Sequence, residues 1–183
     1  MVRHYESLKT TILAALFTIT AAPSAALAQT GSALGELNVE GQVTVQGQGA
    51  SSGQTILEGD TIVTSGANSG ATVELVDGGT VVLFQDSEVQ VGQGQISYGS
   101  GGGGCIDGLG APVDIVIDGV VVAQGVTSGG VFNGTYYASC SQAVAALESA
   151  GGGLTTIAKS ALVASGLIIG YEVVDDDDPT HGS

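Results

Sequence analysis

A chain of 183 residues is long enough for one ordinary domain with a true hydrophobic core, or for one domain with appendages. Its 31 glycines disfavour helices and its 43% hydrophobic content argues against disorder, so many short strands joined by tight turns are expected. With 18 acidic residues against 3 basic ones the surface has almost no cation to set against phosphate, which argues against nucleic acid as a partner and leaves cations, cationic protein patches or neutral polymers.

The first residues read as a secretory signal peptide: Arg3 and Lys9 in a charged region, an apolar run from Thr10 to Ala22, then Ala26-Leu27-Ala28 as a small-x-small cleavage site before Gln29. Cleavage between Ala28 and Gln29 removes residues 1–28 and leaves one basic residue, Lys159, against 17 acidic ones. In an oxidising compartment the two cysteines, Cys105 and Cys140, are most simply one disulfide closing a loop of 34 residues. The expected location is periplasmic, outer-envelope or secreted.

After a short leader to Ala33, Leu37 to Val45 alternates as a half-buried strand does. Gln46 to Gln54 reads as a loop, and Thr55 to Leu57 and Asp60 to Thr64 read as two short strands around a Glu58-Gly59 turn. Asn68, Ser69 and Gly70 are expected to break the chain. Ala71 to Val76, a turn at Asp77-Gly78-Gly79, and Thr80 to Phe84 form the strongest hairpin of this half, because Asp-Gly tolerates the positive φ of tight turns. Ser87 to Val91 and Gln95 to Tyr98 complete six to eight strands.

The order of Gly59, Asp60 and Thr64, then Asp77, Gly78 and Leu83, with Ser87 and Val89 beyond, resembles the FecR-type domain over residues 35–92. Gly79 stands where that family usually has Ser. The resemblance implies a small extracytoplasmic β module that acts by binding, without a catalytic centre of its own. Signalling members hold a sigma factor through a cytoplasmic segment ahead of the module. The signal peptide expected here leaves no such segment, so the regulatory role is not carried over.

Ser100 to Gly104 reads as a glycine linker and a domain boundary. Beyond it, Val113 to Ile117 and Val120 to Ala123 flank Asp118-Gly119, and Val131-Phe132 and Thr135 to Tyr137 flank Asn133-Gly134, giving two hairpins. Ser141 to Ala150 is expected to be a short helix with Ser141 as N-cap and Gly151 as its stop. Leu154 to Val174 stays open between a helix or final strand packed on the β module and, less favoured, a membrane or assembly helix. As a helix it would span about 31 Å, but Lys159 and Glu172 lie inside it and no base follows it. Asp175 to Asp178 reads as a solvated acidic tail, without the glycine and ligand spacing of a calcium loop.

The expected fold is therefore mainly β: a small antiparallel β-sandwich or short β-solenoid over 35–98, a disulfide-bounded hairpin unit over 105–140, and one or two C-terminal helices within 141–174, ahead of a tail over 175–183. His4 falls in the signal and His181 in the tail, so no Ser/His or Cys/His constellation reaches a core, and no phosphate-binding glycine motif is present. Glu58/Asp60 and Asp114/Asp118 are better explained by turn and surface roles than as acid and base. No enzyme activity, cofactor or metal is expected. The expected role is binding to a protein or envelope component, with self-assembly through Gly/Val-rich strands as the alternative.

Overall fold

The computed structural model describes residues 31–99 and 101–166. The signal peptide with Ala28 and Gln29, the stretch 167–174 and the aspartate run all lie outside the described residues. Twelve strands and two helices follow one another: β1 (Ala33–Val45), β2 (Gln48–Gly49), β3 (Gln54–Leu57), β4 (Thr61–Leu75), β5 (Thr80–Leu83), β6 (Glu88–Gly92), β7 (Gln95–Tyr98), β8 (Gly103–Asp107), β9 (Val113–Ile117), β10 (Val120–Val126), β11 (Gly129–Phe132), β12 (Thr135–Tyr137), α1 (Cys140–Ser149) and α2 (Thr156–Ala164).

All twelve strands belong to one nearly closed sheet, and two long bent strands fold it over. β1 and β4 pair from Gly35↔Leu75 to Val45↔Ile62, but between Glu40↔Gly70 and Gln42↔Ser65 four residues of β4 face the single Gly41. Gly41 has φ +72°, and a Cβ there would lie 2.5 Å from the Asn68 carbonyl oxygen. Ser69 fixes the bulge, its hydroxyl accepting from the Gln42 N–H at 2.9 Å and donating to the Ser65 carbonyl at 2.5 Å. The break expected at Asn68 to Gly70 is thus a bulge within a continuous strand, which bends rather than ends.

On one side of this bend β4 pairs with β5, and the order continues β5-β8-β11-β12. On the other side it pairs with β6, and the order continues β6-β7-β9-β10. Every pairing is antiparallel except β7 with β9. The two halves close over a single core, in which Leu37, Val73, Val81, Leu83 and Ile106 of one half meet Ile62, Val89, Ile96, Tyr98 and Ile115 of the other. This is the sandwich form of the expected fold.

A third layer covers one half. Residues of β5 and β8 alternate between the main core and a second cluster, where Val82, Phe84 and Cys105 meet Cys140, Val144 and Leu147 of α1 and Ala158 and Leu162 of α2. Val81 to Phe84 is therefore an unbroken apolar run, as suits strands buried on both faces. The Cys105–Cys140 disulfide lies inside this cluster, with Cα atoms 5.2 Å apart, and ties β8 to the first residue of α1.

Three expectations need correction. Gly103 and Gly104 are not a linker: they begin β8, which is hydrogen-bonded between β5 and β11, so the sheet runs straight across the expected boundary between 35–98 and 105–140. A Cβ on Gly103 would clash with the Val131 carbonyl oxygen, and one on Gly104 with the Val82 carbonyl oxygen, so strand packing favours glycine at both positions. The α1 helix starts at Cys140 with Ser139 as N-cap; the Ser139 side chain makes no capping bond and instead lies 3.1 Å from the Ser141 hydroxyl. Finally, the described apolar tail holds a nine-residue helix, α2, and no helix among the described residues is long and apolar enough to cross a membrane.

Candidate functional site

The motif residues are held by the fold in a way that accounts for each of them. Gly59, at φ +85°, turns the chain from β3 into β4. Asp60 follows it and is 2% exposed; its carboxylate accepts from the Leu57 N–H at 2.8 Å and from the Gln46 side-chain amide at 3.2 Å. The turn is closed again by the Asp60 N–H on the Leu57 carbonyl at 3.0 Å. Asp77 and Gly78 do similar work between β4 and β5: Gly78 takes φ +94° and the Asp77 carboxylate accepts from the Gly79 N–H at 3.3 Å. Leu83 is fully buried in the main core.

Thr64 anchors a longer chain of bonds. Its buried hydroxyl donates to the Phe84 carbonyl at 2.6 Å and accepts from the Ser87 N–H at 2.9 Å. The Ser87 hydroxyl in turn accepts from the Gly103 N–H at 2.7 Å and lies 2.7 Å from the Gly103 carbonyl as a donor. Thr64, Ser87 and Gly103 thus clamp β4, the turn after β5 and the start of β8 together where the two halves of the sheet diverge. Thr64 and Ser87 stand in one sequence motif; Gly103, the partner of the Ser87 hydroxyl, was hidden because a glycine-rich run reads as loose chain.

Of the four carboxylates, Glu58, Asp60 and Asp118 sit at turns, and Asp114 lies within β9. Glu58 is exposed while Asp60 is buried, Asp114 accepts from the Gly125 N–H at 3.1 Å, and Asp118 holds φ +49° at the tip of the β9–β10 hairpin. Among the described residues Tyr98 is the one titrating group pushed far from its ordinary value of 10.0: burial in the core, which disfavours the phenolate, drives it upward. Its hydroxyl has no hydrogen-bond partner among the described residues.

Two kinds of surface remain for recognition. One is concave. An apolar cleft of about 360 Å³ opens at the end of the sandwich between Leu34, Val91, Ile96 and Leu109, with Asp77 at its rim. On the helix-covered side, two cavities of about 370 and 420 Å³ lie between α2 and the outer face of β4 and β5. The other surface is the free edge of the sheet at β10, whose Val120, Val121 and Val122 are 63%, 47% and 41% exposed. Among the described residues no group of three His, Cys, Asp or Glu side chains is placed to hold a metal ion.

No protein-family model matches the chain, no curated protein matches it, and no solved structure matches it.

Proposed function

We propose that the protein is an exported, non-enzymatic binding or scaffold protein built on a FecR-like β module, with a protein or cell-envelope component as its partner. The observation that carries this reading is the use made of the motif: Gly59, Asp60, Thr64, Asp77, Gly78 and Leu83 are all engaged in turns, clamps or core. The motif builds a rigid frame, and recognition falls to the surfaces that the frame presents. The buried disulfide and the strand content fit a domain that works in an oxidising compartment outside the cytoplasm.

The β10 edge favours a second reading, assembly of copies through their strands. β10 is seven residues long and carries no charge or proline, the usual protections of a free edge. The other strands with an open side are shorter: β2 has 2 residues, β3 has 4 and β12 has 3. In so acidic a chain an uncharged strand is also the place where two copies meet without opposing carboxylates.

One experiment separates the readings. The mature protein is sized by light scattering with and without detergent, beside a Val121→Lys variant that puts a charge on the exposed edge. A binding scaffold gives the same monomer for both proteins in both conditions, and cross-linking in the cell envelope captures a second protein. High-mass polymers that vanish in the Val121→Lys variant would overturn the scaffold reading in favour of assembly.

A further inference from the structure

The groove beneath α2 is built differently from the rest of the surface. Strand alternation sends Ala71, Val73, Val81 and Ile106 into the main core, so Thr72, Glu74, Thr80 and Asp107 stand on the opposite face, toward α2. Register then sets Glu36 opposite Glu74, Glu74 opposite Thr80, and Thr80 opposite Asp107. Three carboxylates thus lie in one row across four strands, and two of them form a direct like-charge pair of the kind that destabilises a sheet. Lys159, the only basic residue among the described ones, is itself exposed on α2.

The two cavities under α2 meet along this row. Both are lined by Thr72, Glu74, Ala161 and Ala164, and the larger one extends to Thr80 and Asp107. At their common floor Thr72 is 3% exposed, and its hydroxyl has no hydrogen-bond partner among the described residues. A buried hydroxyl left unpaired costs free energy that a ligand donor would recover. The carboxylates do not converge as the six or more oxygens around a hard divalent cation do. Glu74 and Asp107 are separated by two strand spacings, roughly 10 Å between their Cα atoms. That spacing suits separate positive charges joined by an apolar chain, and the methyl groups of Ala161 and Ala164 line such a chain.

We propose that this groove binds a linear aliphatic polyamine, with separate ammonium groups on Glu74 and Asp107, a further N–H donated to the Thr72 hydroxyl, and the methylenes against α2. The groove lies apart from the β10 edge, so this site and the assembly reading stand or fall separately.

The test is calorimetric titration of the mature protein with spermidine at low salt, where charged contacts are least screened. One saturable site is expected. Glu74→Gln and Asp107→Asn should each weaken binding about tenfold, the scale of one lost charge-assisted hydrogen bond, while Glu58→Gln, an exposed carboxylate outside the groove, leaves it unchanged. Thr72→Val is the sharper variant. It removes the unpartnered hydroxyl at equal volume, so its melting temperature is unchanged or higher while spermidine binding falls several-fold. No saturable binding, or equal affinity in all four variants, would overturn the proposal, the latter showing diffuse attraction to an acidic surface. A lysine-rich peptide that binds more tightly than spermidine would overturn the small-molecule assignment in favour of a protein side chain.

Discussion

Replacing Gly104 by alanine will leave the protein unfolded or lower its melting temperature by more than about 15 °C, the scale of 4 kcal/mol or more in a domain of this size. β8 is held by backbone bonds on both sides, with Gly104 opposite Leu83 of β5 and Val131 of β11. The added Cβ would clash with the Val82 carbonyl oxygen, a backbone atom of the paired strand that cannot swing away as a flexible side chain can. Relief requires β8 to separate from β5, which breaks the sheet where its two covering layers meet. A thermal melt followed by circular dichroism measures the effect. A melting temperature within about 2 °C of the parent would mean that residues 101–104 are the loose linker their composition suggests.

The second large effect belongs to the disulfide. Changing both Cys105 and Cys140 to alanine should cost roughly 3–4 kcal/mol from the lost constraint on a loop of this length, a fall of about 10–15 °C in melting temperature. The bond joins a central strand to the helix that roofs it, with both cysteines at most 1% exposed. A reductant added to the native protein should therefore act slowly, and the melting temperature should fall only after incubation warm enough to open α1. Identical melts for the oxidised protein and the double variant would show that packing of α1 on β8 and β11 suffices without the bond.

Much of this fold is legible in the sequence, for a local reason. The hairpins β4–β5, β9–β10 and β11–β12 are marked by Asp-Gly or Asn-Gly pairs, and the structure puts Gly78, Asp118, Gly119, Asn133 and Gly134 at positive φ in those turns. The cysteine pairing follows from there being two cysteines and from the expected export. What fails to show is long-range. Glycine at 103 and 104 looks like a linker because the carbonyls that forbid a side chain belong to Val131 and Val82, remote in sequence. The continuity of β4 through Asn68 to Gly70 is hidden because turn residues also make bulges, and only the partner strand with Gly41 decides between them. The parallel contact of β7 with β9 carries no local mark at all.

The groove shows the same division. That Thr72, Glu74 and Thr80 share a face can be read from the Asp77-Gly78 turn and a period of two. That Asp107 joins them depends on β8 lying beside β5, and that α2 covers them depends on the second core formed by Ala158 and Leu162. A further tie is the Glu40 carboxylate, which accepts from the Ile157 N–H at 2.9 Å in the first turn of α2. It places the helix start over β1, where its partial positive charge is met by an acid 117 residues earlier in the chain.

The 35–98 and 105–140 stretches share one sheet that passes through Gly103 and Gly104, and should unfold as one cooperative body. Native-state hydrogen exchange across β5, β8 and β11 measures whether they do. The prediction is that the amides of Val82, Cys105 and Val131 exchange with a common free energy equal to that of global unfolding. Exchange of β8 and β11 at a distinctly lower free energy than β4 and β5 would contradict it and restore two separate units.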